Sequence, residues 1–83
     1  MIVQKISQTQ FVVTAALSSG RAVDAVVQIQ YDRFLARHWY SRHLFRPGSA
    51  EKVRLSSLSA NEQVELGQTL QEFFEAQIYN GVA

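Results

Sequence analysis

Residues 21–31, RAVDAVVQIQY, change side with nearly every step. Val23, Ala25, Val27, Ile29 and Tyr31 fall on one side of an extended chain, and Asp24, Gln28 and Gln30 fall on the other. A period of two does not wrap onto a helix. It predicts a strand with one buried face and one wet face, as in an antiparallel sheet. The preceding run, QFVVTAAL (10–17), is rich in β-formers, and SSG (18–20) between the two is a turn signal, so the pair reads as a hairpin. IVQKI (2–6) and EKVRL (51–55), the latter after a loop at PGSA (47–50), are expected to add edge strands.

A sheet with one apolar face needs a cover, and the last third of the chain supplies one. SANE (59–62) has the form of a capping box, in which Ser59 caps the Glu62 amide and Glu62 reaches back to the Ser59 amide. Behind it Val64, Leu66, Leu70, Phe73, Phe74 and Ile78 share one half of a helical wheel. Glu62, Glu65, Glu72 and Glu75 take the opposite arc, which reads as a solvated face. Asn80–Gly81 is expected to form a left-handed stop, and Gly67 to mark a close approach of a neighbouring element. The expected fold is therefore α+β: a small antiparallel sheet of three to four strands, covered on one face by a C-terminal amphipathic helix.

Eighty-three residues make a single domain, 1–83, with 1–58 mainly sheet and connections and 59–80 the helix. Its core is predicted at Val13, Val23, Val27, Ile29, Phe34, Leu66, Leu70, Phe73 and Ile78. A domain this small buries only about 60–65% of its unfolded surface, so self-association into a homo-oligomer would be a cheap way to bury more.

Residues 33–40 stand at a fork. As a continuation of the preceding strand they need a bulge near Asp32, because the apolar residues change parity there. As a short helix they would take Asp32 as N-cap, with Phe34, Leu35, His38 and Trp39 on one face. From Ser41 to Pro47 neither period fits, and irregular or edge structure is expected.

Composition closes several functional classes. At 47% hydrophobic and 18% charged the chain belongs with globular domains, neither disordered nor membrane-embedded. No stretch approaches the ~20 apolar residues of a membrane span. FVVTAAL, short and interrupted by Thr14, reads as a strand in preference to a signal region. The chain has no cysteine, which rules out disulfides and thiolate chemistry and suits a cytoplasmic protein.

Catalytic signatures are missing. No serine sits in a nucleophile elbow, no Gly-rich phosphate loop occurs, and glutamates on a solvated arc lack the desolvation that tunes acid–base groups. His38 and His43 are five apart, which matches the same-face spacing of neither a helix nor a strand, so no metal site is expected. The chain is expected to be neither an enzyme nor a cofactor binder.

What remains is charge. A net charge of +1 conceals two poles. Arg33, Arg37, Arg42 and Arg46 bring +4 to residues 33–46, while the four glutamates bring −4 to residues 59–80. The basic pole, RFLARHWYSRHLFRP (33–47), interleaves its arginines with aromatic rings. Arginine binds carboxylate or phosphate as a planar fork, and Arg, Trp and Tyr dominate interface hot spots. The expected function is a small non-catalytic binding protein, a regulator or accessory subunit that docks on a larger protein. Its partner-binding residues are Arg33, Arg37, His38, Trp39, Tyr40, Arg42, His43, Phe45 and Arg46. Glu62, Glu65, Glu72 and Glu75 would offer a second contact, for example to another copy. A nucleic-acid binder, with the arginines on phosphates and a ring stacked on a base, is the alternative, although a pI of 8.2 lies below the ~9 typical of such domains. The plainest reading makes Trp39 core and pairs the arginines with the helix glutamates.

Overall fold

The computed structural model describes residues 1–80. Four antiparallel strands, β1 (Ile2–Lys5), β2 (Gln10–Ala16), β3 (Ala22–Asp32) and β4 (Arg37–Phe45), form one sheet in the order β1-β2-β3-β4. A single 3₁₀ turn (Leu55–Ser57) leads into the helix α1 (Ala60–Tyr79), which lies over one sheet face. This is the α+β arrangement that the two periodicities predict. Among the described residues no helix is long and apolar enough to cross a membrane.

Register explains why one face is apolar. Phe11 sits opposite Val27, Val13 opposite Ala25 and Ala15 opposite Val23, and Ala25 and Ile29 sit opposite Leu44 and Tyr40. Directly opposed residues share a face. All of these but Tyr40 are buried, and Tyr40 is half-buried. Leu66, Leu70 and Phe73 of α1 close the core from above, with Leu17 and Leu58 at one end. The Phe73 ring meets Phe11 edge-on at 5.1 Å between centroids. The capping box forms as predicted: the Ser59 hydroxyl accepts from the Glu62 amide at 3.1 Å, and the Glu62 carboxylate accepts from the Ser59 amide at 2.8 Å.

Several expectations are corrected. Residues 33–40 are neither a bulged continuation nor a helix: β3 ends at Asp32, the chain reverses through 33–36, and β4 begins at Arg37. The Asp32 carboxylate accepts from the Phe34 and Leu35 amides at 2.9 and 3.1 Å, and Ala36 takes a left-handed φ of 51°. Aspartate thus caps a turn with the chemistry that would have capped a helix. Phe34, predicted to be core, rides the tip of this turn at 99% exposure. Ser41–Phe45, expected to be irregular or edge, is edge strand. EKVRL contributes one bridge, Lys52 to Phe45, and not a strand.

The helix buries a narrower stripe than half its wheel. Val64 is 60% exposed, and Phe74 and Ile78 are only partly buried, because a helix on a sheet covers an arc nearer 100° wide. Asn80 ends α1 with φ −83°, not in the left-handed region, and Gly81 lies outside the described residues.

Gly67 marks no close approach, since a Cβ built there meets nothing within 4 Å. It is an exposed helical position where glycine merely costs backbone entropy. Gly67→Ala is therefore expected to raise the unfolding free energy by about 0.5–1 kcal/mol, read as a higher denaturation midpoint at unchanged m-value.

Candidate binding surface

The tight turn at 33–36 places β4 at the edge of the sheet and splits the basic, aromatic segment between two faces. His38, Tyr40, Arg42 and Leu44 lie opposite Tyr31, Ile29, Val27 and Ala25, on the side that carries α1. Arg37, Trp39, Ser41, His43 and Phe45 lie opposite Asp32, Gln30, Gln28, Val26 and Asp24, on the uncovered side. Arg33 is in the turn and Arg46 just beyond the strand. The nine residues named from the sequence thus surround one edge strand and do not share one face.

Their environments differ accordingly. Tyr40 is committed to the fold, its ring 4.8 Å from that of Phe74. His38 packs edge-on against Tyr31 at 4.9 Å. Phe45 is half-buried where the 46–50 loop crosses the uncovered face, tied down by the Gly48 amide donating to Asp24 at 3.1 Å. Trp39 is not core; it is 43% exposed. Arg33, Arg37 and Arg42 are exposed, and among the described residues none has a carboxylate within ion-pair distance. Arg46 pairs with Glu51 at 3.3 Å, a local contact between two exposed side chains that adds little stability.

The sequence signal missed two features. Phe34 and Leu35, 99% and 59% exposed, place an apolar tip between Arg33 and Arg37. Reading Phe34 as core hid it; Asp32 followed by a left-handed alanine is a turn that aromatic content alone does not reveal. Second, an open cleft of about 680 Å³ is lined by Arg21, Arg46, Lys52 and Arg54 together with Ser56 and Ser57. A shallower one of about 330 Å³, lined by Arg42, His43 and Lys52 among others, adjoins it. The shared parity of Lys52 and Arg54 is visible in EKVRL, but their meeting with Arg21 needs the folded path of the chain. Among the described residues no group of three His, Asp or Glu is placed to hold a metal ion.

The acidic pole is not a solvated arc. Glu62 is buried, and the glutamate side chains of the first turns hold the β2–β3 turn. Glu62 accepts from the Ser19 hydroxyl at 2.6 Å and lies 3.5 Å from Arg21. Glu65 accepts from the Ser18 amide with both carboxylate oxygens, at 3.1 and 3.0 Å, and from the Ser18 hydroxyl. Glu72 and Glu75 remain exposed, with Glu75 accepting from Gln71. The arginines of 33–46 therefore do not find their partners in the helix.

Compared with models of known protein families, with curated proteins and with solved structures, the chain matches none.

The Ser19 hydroxyl bond, the Ser59 amide bond and the nearby Arg21 charge hold the Glu62 carboxyl below its ordinary pKa, against the opposing pull of burial. A carboxyl depressed in the folded state contributes stability above its unfolded pKa of about 4.3 and loses it as pH falls through the folded value. Glu62→Gln is thus expected to lower the melting temperature at pH 7. The gap to wild type should begin to narrow as the pH falls below about 4.3 and close only once it passes the lower folded value, where both chains carry a neutral group. Thermal melts of the two proteins across that range make the check, and a gap that stays constant would show that the charge plays no part.

Proposed function

We propose that the protein is a non-catalytic binding module, a regulator or accessory subunit, that docks on an acidic surface of a protein partner through β4 and the turn before it. One observation carries this reading: Arg33, Arg37 and Arg42 are exposed, without a carboxylate at ion-pair distance among the described residues, and stand beside exposed Phe34, Leu35 and Trp39. Arginine and aromatic side chains gathered around one edge strand and its turn are the make-up of an interface hot spot, where a central residue is worth about 2 kcal/mol or more. Arginine forks left without an internal partner complement carboxylates. The side chains of Tyr40, His38 and Phe45 are half-buried and offer the partner less surface than the exposed ones.

Nucleic-acid binding is the second reading, and the basic clefts favour it. Arg21, Arg42, Arg46, Lys52 and Arg54 all line these adjoining hollows, facing only Glu51 and, beside Arg21, Glu62. Cations gathered in this way neutralise phosphates.

Trp39, the chain's single tryptophan, reports from inside the surface. Its fluorescence is to be titrated with a glutamate-rich peptide and, separately, with mixed-sequence DNA and RNA, each at low and near-physiological salt. Protein docking predicts a saturable change with the peptide. Arg37→Ala combined with Arg42→Ala should weaken that binding at least tenfold, about 1.4 kcal/mol, at an unchanged melting temperature. A response to nucleic acid alone, falling log-linearly with salt, would transfer the assignment to the second reading.

A further inference from the structure

β4 is the last strand of the sheet, and its backbone shows which of its groups are unused. At the strand's end, the Val53 amide donates to the Leu44 carbonyl at 2.9 Å, and just past it the Arg46 amide donates to the Glu51 carbonyl at 2.9 Å. Both contacts lie on the side away from β3, so the even-numbered residues direct their backbone outward. Backbone direction alternates along a strand, and His38, Tyr40 and Arg42 must therefore turn the same way. The opposite strand gives the same answer independently. Ile29, directly across from Tyr40, donates its amide to Thr9 at 2.8 Å, away from β4. Among the described residues, the amides and carbonyls of His38, Tyr40 and Arg42 have no backbone partner on the outer edge.

This edge is bounded. The turn at 33–36 ends it on one side, and the segment bonded to Leu44 and Arg46 closes it on the other. Between them lies room for an incoming strand of about five residues, roughly 17 Å long. From Arg37 to Arg42 its margin carries two arginines and no acid, with Arg33 and Arg46 just outside. A second copy is a poor occupant, because antiparallel pairing of β4 with itself sets a basic strand against a basic strand, and directly opposed like charges destabilise a sheet. The other edge strand, β1, carries Lys5 and no acid, so it offers β4 no complement either.

We infer that the segment captured here is an extended acidic one, which adds to the outer edge of β4 as a fifth strand. This rests on the protein-docking reading above and names the form of the partner. The backbone groups of His38, Tyr40 and Arg42 supply the ladder, while side chains of the added strand lie alternately beside Tyr40 and Arg42 on one face and beside Trp39 and Ser41 on the other. Glutamates in the added strand pair with Arg37 and Arg42, and charge thereby selects the partner and disfavours self-pairing.

The test uses the isotope-labelled chain and a capped peptide of about eight residues, with glutamates in adjacent pairs separated by threonines so that both faces carry acid, long enough to span the exposed edge. Amide hydrogen exchange is followed at His38, Tyr40 and Arg42. Strand addition predicts that saturation with peptide slows exchange at these three amides and leaves those of Trp39 and Ser41, which face β3, nearly unchanged. A peptide of the same charge, N-methylated at alternate residues, should bind about tenfold more weakly for each backbone hydrogen bond lost. If binding depends on Arg37 and Arg42 but tolerates N-methylation and leaves exchange unaltered, docking stands and strand addition falls. If the peptide fails to bind, or binds Arg37→Glu and Arg42→Glu as well as wild type, the docking reading falls with it. Slowed exchange that grows with protein concentration, without peptide, would put a second copy on the edge and overturn the acidic partner.

Discussion

Everything in this molecule rests on the contact between one helix and one sheet face. Val13, Ala25 and Val27 are fully shielded from solvent because Leu66, Leu70 and Phe73 lie across them. Among the described residues no second helix or sheet stands behind. Each such valine, leucine or phenylalanine is worth about 1.5–3 kcal/mol of burial, and a chain of this length has few of them. The short connections follow from the same economy of contacts. A four-strand meander joined by tight turns needs no crossover, so its apolar face can be assembled locally and then covered in one step.

A second set of contacts holds the cover in place. Glu62 and Glu65, one turn apart in α1, reach the β2–β3 turn at Ser18 and Ser19, and Arg21 bridges to Glu62 and to the Ser57 carbonyl at 3.2 Å. Two residues of the acidic pole are thus spent on fixing the helix to the hairpin. The consequence for function is indirect. With half of the helix acids engaged at one end, and the others on the outer surface of α1, the arginines around β4 are left facing solvent. A dipolar sequence becomes a protein whose acidic pole is half engaged within the fold, while Arg33, Arg37 and Arg42 of its basic pole stay without an ion-pair partner among the described residues.

Edge position gives that basic side its character. Had β4 been an inner strand, His38, Tyr40 and Arg42 would have spent their outer backbone groups on a neighbour. As the last strand it keeps them, and the arginines along it act in two ways: they attract carboxylates and discourage the same edge from pairing with its own copies. The short β1 at the far side is guarded by its length of four residues and by Lys5.

The hairpin, the capping box and the helix were legible in the chain itself, because each is a local pattern. Val23 to Ile29 alternate, Ser59 and Glu62 are three apart, and Leu66, Leu70 and Phe73 recur at helical spacing, so neighbours along the sequence fix which atoms meet. Phe34 and Glu62 depart from this local logic, for opposite reasons. Phe34 is apolar yet sits at the tip of a turn that a single aspartate closes, where no element is near enough to cover it. Glu62 is charged yet buried, because Ser19, Arg21 and Ser59 supply the donors that make burial tolerable, and two of these come from a distant hairpin. By itself the sequence determined the periods, the cap and the separation of charge. Only the tertiary structure decided which acids would be consumed, which arginines would be left, and that β4 would lie at an edge, since these depend on distances between residues that the chain keeps far apart.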